Sequence, residues 1–187
     1  MTRKSYKACL DALLLPLGFV RDGLDWSRVR DGVEEIVDLQ MSNIAGTTAN
    51  LSVCNLESRR LVNEIAGPIG RIVMTRTRRI GQLIDGYDRW WSRDPKGPEE
   101  LTEAIRVYGL PYFERARNDD ERWARAYNPE EAEGRWHGPG LISLAITLYR
   151  LGELEKARAV LRRPNPKTAH PAWIEHVDKV RTWLERQ

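Results

Sequence analysis

The sequence predicts an α+β protein: an N-terminal helix packed on an antiparallel β-sheet of about 4–5 strands, followed by a C-terminal bundle of about 5–6 helices. Three observations lead there. The apolar residues change from helical spacing to strict alternation and back again along the chain. The turn-rich stretch Ser92-Arg93-Asp94-Pro95-Lys96-Gly97 separates the alternating part from the last helical part. The composition, 41% hydrophobic and 30% charged, is that of a folded globular chain rather than a disordered one. The expected organisation is a helix-plus-sheet domain over 1–97 with a helical region over 98–187 packed on it.

Tyr6, Leu10, Leu13, Leu14 and Leu17 share one helical face, with Lys4, Lys7 and Asp11 elsewhere on the cylinder, and Pro16 marks the end. Phe19 to Arg21 and Trp26 to Arg30 read as short strands around the turn Asp22-Gly23. From Val33 to Asn43, Val33, Val37, Leu39 and Met41 alternate with Glu34, Asp38, Gln40 and Ser42, while Glu35 and Ile36 break the pattern. After Ala45-Gly46-Thr47, the segment Thr48 to Leu56 alternates Ala49, Leu51 and Val53 with Asn50, Ser52 and Cys54, which predicts a hairpin. Its apolar face is expected to take the first helix. Residues 57–71 read as a helical turn and a loop, and Ile72 to Ile84 as a further extended run.

Beyond residue 97 the signals are helical. Pro98-Glu99-Glu100 places proline and acids in a first turn, where the helix dipole favours them. Gly109 is expected to close that helix and Pro111 to open the next; Asp119-Asp120-Glu121 opens a third, ending near Asn128-Pro129. Leu141, Leu144, Ala145, Leu148 and Leu151 form a stripe stopped by Gly152. Leu154, Ala157, Val160 and Leu161 form another, ended by Pro164, and Pro171 opens a last helix.

Bulk properties exclude several classes of function. The net charge is only +3, with 15 basic and 12 acidic side chains in residues 1–97 and 15 of each beyond. Such a weak excess does not by itself imply a polyanion partner, since nucleic-acid binders usually show a concentrated basic face. Cys9 and Cys54, without a CxxC pair or a nearby histidine, predict neither a disulfide framework nor a zinc site, but two buried small hydrophobes. The apolar stretch Leu10 to Leu17 is too short to span a bilayer and lacks a small-residue cleavage site. No membrane association, no cofactor and no metal are expected, and the expected compartment is the cytoplasm. At 187 residues, folding buries about 70% of the chain's surface, so a core forms without such help.

The order helix, Leu15-Pro16-Leu17-Gly18-Phe19, Trp26 to Arg30, Leu39-Gln40-Met41-Ser42, Asn50-Leu51, Arg79-Ile80-Gly81 and Trp90-Trp91 resembles the family of bacterial proteins catalogued as domain of unknown function 4304. The resemblance covers roughly residues 5–115, and the position of an expected glycine after Asn-Leu holds Ser52. It implies a helix on an antiparallel sheet and no defined activity. The segment 141–164 is similar to the junction of a single tetratricopeptide repeat, through Tyr149, Gly152, Ala157 and Pro164. One such unit does not make a solenoid and reads as a helical hairpin packed on its neighbours.

The candidate ligand-binding residues are Gln40, Ser42, Asn50, Ser52, Arg79, Trp90 and Trp91. Alternation projects the first four from one sheet face, with Arg79 and the two indoles on the same floor or its rim. Amides, a planar cation and aromatic rings in one concavity suit a peptide, or an anionic or planar ligand. A solvated face with cross-strand polar pairs is the plainer alternative. Arg76, Arg78 and Arg79, with Arg71, Arg89 and Arg93, also read as an anion stripe, although alternation turns Arg79 away from Arg76 and Arg78, and Asp85, Asp88 and Asp94 oppose it. His137, His170 and His176 read as structural, and no catalytic residue is assigned. The expected function is a non-catalytic protein- or ligand-binding module, of the immunity or regulatory type, with a protein partner more than a small anionic ligand. A small enzyme on an anionic or nucleotide-like substrate and a weak nucleic-acid binder are the alternatives.

Overall fold

In the computed structural model, which describes residues 5–68, 76–92, 94–127, 139–162 and 171–187, Ser5 starts the first helix, α1 (Tyr6–Leu14). Its hydroxyl oxygen accepts the Ala8 N–H at 3.2 Å, one of the donors that the first turn leaves unpaired. A 3₁₀ turn over Leu15–Leu17 follows at Pro16, and Gly18, at φ +84°, reverses the chain in a conformation that costs a residue with a Cβ.

The chain then runs β1 (Val20–Asp22), β2 (Asp25–Arg30), β3 (Val33–Ser42) and β4 (Gly46–Asn55). It continues through α2 (Leu56–Ala66) to β5 (Arg76–Arg79) and α3 (Ile80–Ile84). The helices α4 (Gly97–Ala104), α5 (Leu110–Ala116), α6 (Asp119–Arg125), α7 (Pro139–Arg150), α8 (Leu154–Arg162) and α9 (Pro171–Glu185) complete it. The five strands form one antiparallel sheet in sequence order. No helix among the described residues is long and apolar enough to cross a membrane.

Two compact units divide these elements. One comprises Met1–Cys54 and Arg76–Arg117; the other comprises Asn55–Thr75 and Asn118–Gln187. In the first, α1, α4 and α5 cover the apolar face of the sheet. Leu10, Leu14, Phe19, Trp26, Val37, Leu39, Leu51, Ile80, Leu101, Ile105 and Phe113 form its core. Asp11 ties α1 to the strands: its carboxylate accepts the Trp26 indole N–H at 2.9 Å and an Arg21 guanidinium N–H at 2.6 Å. The buried indole is thereby satisfied, as Trp requires when its ring carries much of a core.

Three local expectations are corrected. Ile80–Ile84 is helical rather than extended, because Gln82 reaches back to accept the Arg79 N–H at 3.3 Å and caps the turn. Leu56 starts α2 instead of ending a strand, since the Asn55 side chain accepts the Ser58 N–H at 3.0 Å. Gly109 and Pro111 do not break the helix. Gly109 keeps helical dihedrals, and the chain passes from α4 to α5 through a π-helical turn over Ile105–Gly109, with Leu110 N–H bonding to the Ile105 carbonyl. Proline lacks an N–H and its ring crowds the carbonyl four residues earlier, so widening the turn at that point keeps the helix going. Gly109 also faces Leu51, whose Cδ1 would lie 3.0 Å from an added Cβ.

The break in alternation at Glu35 and Ile36 has a physical reason. Glu35 pairs with Arg28 in the β2–β3 register, on the core side of the sheet, and is fully buried. Its carboxylate accepts Arg28 Nε–H at 2.7 Å and an Arg117 guanidinium N–H at 2.9 Å. Arg117 also meets Asp31 at 3.1 Å and Glu114 at 3.2 Å, and Glu114 meets Arg30 at 2.6 Å. Arg28 lies over the Phe19 ring at 4.5 Å and donates to the Leu17 carbonyl. Met41 leaves β3 on the same side as Val37 and Leu39 but, near the hairpin end, is 54% exposed.

Partial desolvation pushes the Glu114 carboxyl upward, but Arg117 and Arg30 outweigh it and hold the group below the ordinary glutamate range. A carboxyl depressed by folding contributes stability that is present above its unfolded pKa and lost as pH falls through the folded one. Acidification from about pH 5 to pH 3 should therefore reduce the urea midpoint less in Glu114→Gln than in the unsubstituted chain. Equal losses would remove Glu114 from the acid response.

The second unit is helical. The turn after α7 carries Gly152 at φ +80°, with Glu153 N–H on the Leu148 carbonyl at 2.9 Å and Gly152 N–H on that of Tyr149 at 2.9 Å. This glycine-terminated pattern satisfies the last carbonyls of α7 and lets α8 pack back on it. The Arg150 guanidinium donates to the Glu57 carboxylate and to Ser58 Oγ, holding α2 to α7, while Tyr149 meets Trp183 of α9 edge-on at 4.8 Å.

Candidate functional site

Strand alternation and register bring the predicted polar face together around β3, β4 and β5. Asn50 is the direct partner of Arg79 across β4 and β5, so both side chains leave the same face. The Asn50 amide donates to Asp38 Oδ2 at 2.8 Å and to Gln40 Oε1 at 3.4 Å, and the same Gln40 oxygen accepts an Arg79 guanidinium N–H at 3.3 Å. Gln40 is exposed, Asn50 half-buried, and the Arg79 side chain 29% exposed. Three of the predicted residues thus share one hydrogen-bonded array.

Trp90 joins the array through its ring, which lies under the Arg79 guanidinium at 5.3 Å. A planar cation over an indole face is attracted by the ring quadrupole. The arrangement depends on Gly81. An added Cβ there would lie 2.5 Å from Arg89 N and 2.6 Å from the Tyr87 carbonyl oxygen, so only glycine admits the 87–89 segment onto the start of α3. That close approach delivers Asp88 to the array. Its Oδ2 accepts from Arg79 at 2.5 Å and its Oδ1 from the Gln82 amide at 3.3 Å.

The other predicted residues serve different ends. Ser42 Oγ accepts the Ile44 and Ala45 N–H groups at 3.2 and 3.1 Å, shaping the β3–β4 turn. Ser52 is buried and shares a hydrogen bond of 2.8 Å with Thr77 across the strands. Trp91 is 5% exposed and belongs to the core; its backbone bridges Thr47, with N–H···O distances of 2.8 and 3.0 Å. Arg78 pairs with Leu51, on the face opposite Arg79, so the arginines of β5 do not line up as one stripe. Arg71, Arg93, His137 and His170 lie outside the described residues. His176 lies on α9 with its ring 5.9 Å from that of Trp173.

Asp38 and Gln82 were not among the predicted site residues. Alternation around Gln40 signals the first, and a position three residues after a helix-capping Arg79 signals the second. Among the described residues, no group of three His, Cys, Asp or Glu side chains is placed to hold a metal ion.

A concavity of about 440 Å³ lies in the helical unit. Ile65, Glu175, Asp178, Lys179, Thr182, Trp183 and Arg186 line it. Lys179 bonds the Glu175 carboxylate at 2.8 Å and reaches the Ala66 carbonyl at 3.4 Å. This hydrogen bond and charge hold Glu175 below the usual carboxylate range.

Comparison with known proteins yields one match. A family model described as a domain of unknown function (DUF4304) matches residues 10–115. No curated protein and no solved structure matches the chain.

Proposed function

This chain belongs to the DUF4304 family, and from that premise and the geometry of the β3–β4–β5 face we propose that it is a non-catalytic binding module whose partner is a protein. One observation carries the reading. Gln40, Asn50 and Arg79 form a single polar array over the Trp90 indole, on a face open to solvent at Gln40 and Arg79. Fixed amides and a stacked guanidinium form a preorganised recognition surface, because little side-chain freedom remains to be lost on binding. Tryptophan and arginine are also the side chains in which binding energy concentrates at interfaces.

The same geometry weighs against catalysis at this face. The carboxylate within reach of Arg79 is Asp88, which is ion-paired and 48% exposed. It lacks the water-excluded surroundings that general acid–base chemistry draws on. The acids around Arg79 also weaken any field able to hold a nucleic acid.

The test is affinity capture with the tagged full chain. Arg79→Ala and Trp90→Ala should each weaken retention of the captured protein, by about 2 kcal/mol or roughly 30-fold, with circular dichroism unchanged. Recovery of the same partners at the same yield with both variants would reject the face. Retention on heparin that falls steeply with salt would turn the reading toward nucleic acid.

A further inference from the structure

The candidate face already holds a ligand group of its own. The Asp88 carboxylate is bound by two donors from other positions, Arg79 through one oxygen and Gln82 through the other, above an indole that backs the guanidinium. Asp88 sits in the exposed segment Asp85–Arg89, brought to the array by the close approach at Gly81 and half-exposed itself. Asp38, the other carboxylate of the array, is engaged by the Asn50 amide. We infer that Asp88 is an internal occupant of a carboxylate site, and that the protein partner is recognised by an acidic side chain that displaces Asp88 from Arg79 and Gln82. The inference rests on the binding-module reading and gives that partner its chemistry.

Exchange of one carboxylate for another leaves the charge of the site unchanged. Binding to the native chain is therefore weakly salt-dependent, and its affinity is limited by the competitor that must be moved. Removing the competitor's charge reverses both properties. Arg79 then faces the incoming acid unpaired, and binding becomes tighter and more sensitive to screening.

The experiment uses the full chain and a fluorescently labelled poly-glutamate peptide, with a poly-lysine peptide as comparison, followed by anisotropy. Asp88→Asn should bind poly-glutamate about three- to fivefold more tightly than the native chain, the factor an exposed ion pair is worth. The gain should vanish in Asp88→Asn combined with Arg79→Gln and shrink with added salt. Asp88→Ser serves the same purpose if the asparagine variant unfolds earlier on heating. No gain in either variant, or a gain that persists without Arg79, overturns the inference. Tighter binding of poly-lysine than of poly-glutamate by the native chain also overturns it, and does so without touching the proposal that the face binds a protein, which the capture experiment tests separately.

Discussion

Glu35→Ala is expected to cost about 3–5 kcal/mol of stability. Glu35 is fully buried and lies between Arg28 and Arg117, whose side chains are only 11% and 14% exposed. Deleting the carboxylate leaves two poorly solvated cations facing each other across the vacated position. Arg117 retains Asp31 and Glu114, and Arg28 retains the Leu17 carbonyl and the Phe19 ring. None of these replaces a buried anion shared by both. The Arg117 Nε, a buried donor without a partner, adds to the demand for that charge.

Breaking such a group and replacing it are different operations. A buried ion pair exchanged whole for apolar side chains of similar size is often neutral, because the desolvation of the charges disappears together with their attraction. The triple variant Arg28→Met, Glu35→Leu, Arg117→Met should therefore unfold at higher urea than Glu35→Ala alone. Urea midpoints for both, at unchanged slope, check this. A triple variant less stable than the single one would mean that the network is held by more than its internal charge balance.

The second large effect is expected at Gly46. Gly46→Ala should cost about 2–4 kcal/mol, from two sources that add. The residue sits at φ +105°, in the region that residues with a Cβ seldom adopt. An added Cβ would also lie 2.3 Å from the Trp91 carbonyl oxygen, a backbone atom that cannot swing away. That carbonyl accepts the Thr47 N–H in the bridge that binds Trp91 to the start of β4. Relief of the clash must open the bridge and shift Trp90 with it, and so disturb the ring under Arg79.

Gly23 supplies the control. It also has a positive φ, +62°, but a Cβ there meets nothing within 4 Å. Gly23→Ala should thus show only the conformational cost, about 1–2 kcal/mol. Urea unfolding separates the two, and Trp fluorescence should shift for Gly46→Ala alone. Equal losses at the two glycines would remove the steric part of the argument.

The residues that were easiest to read locally in the sequence are those whose signal lies within one element. Pro16 marked the end of α1 by its own backbone chemistry, whereas the Ser5 cap and the Gly18 reversal appear only in the structure. Asn50 and Gln40 were legible as co-facial because alternation within β3 and β4 assigns them a side, and adjacent hairpin strands must then share it. Their bond through a common amide realises that inference at 3.4 Å. Ser42 and Ser52 carried the same alternation signal, yet a turn and a cross-strand pair claim their hydroxyls. Hydroxyls are short, and the nearest backbone or side-chain partner takes them before a distant ligand does.

Signals that depend on a distant partner were misleading when read locally. Glu35 seemed a flaw in an alternating strand, because the Arg117 that neutralises it lies 82 residues away in sequence. Gly109 and Pro111 are helix breakers by propensity, but packing of α4 and α5 on the sheet outweighs that preference and a π turn absorbs the proline. Asp88 was visible only as a nearby acid. Its place on Arg79 follows from the missing Cβ at Gly81, which matters only once residues 87–89 have folded back.

By itself, then, the amino-acid order determined that a helix precedes an antiparallel sheet, that helices follow it, and which side of β3 and β4 is polar. Those properties arise from periodicity and capping, which act over a few residues. Only the tertiary structure decided that Arg79 meets Asp88 and Gln82, that Trp90 backs the cation while Trp91 enters the core, and that Glu35 balances two arginines. Such pairings join chain segments whose approach depends on how the whole sheet and its covering helices pack, and no local pattern encodes that distance.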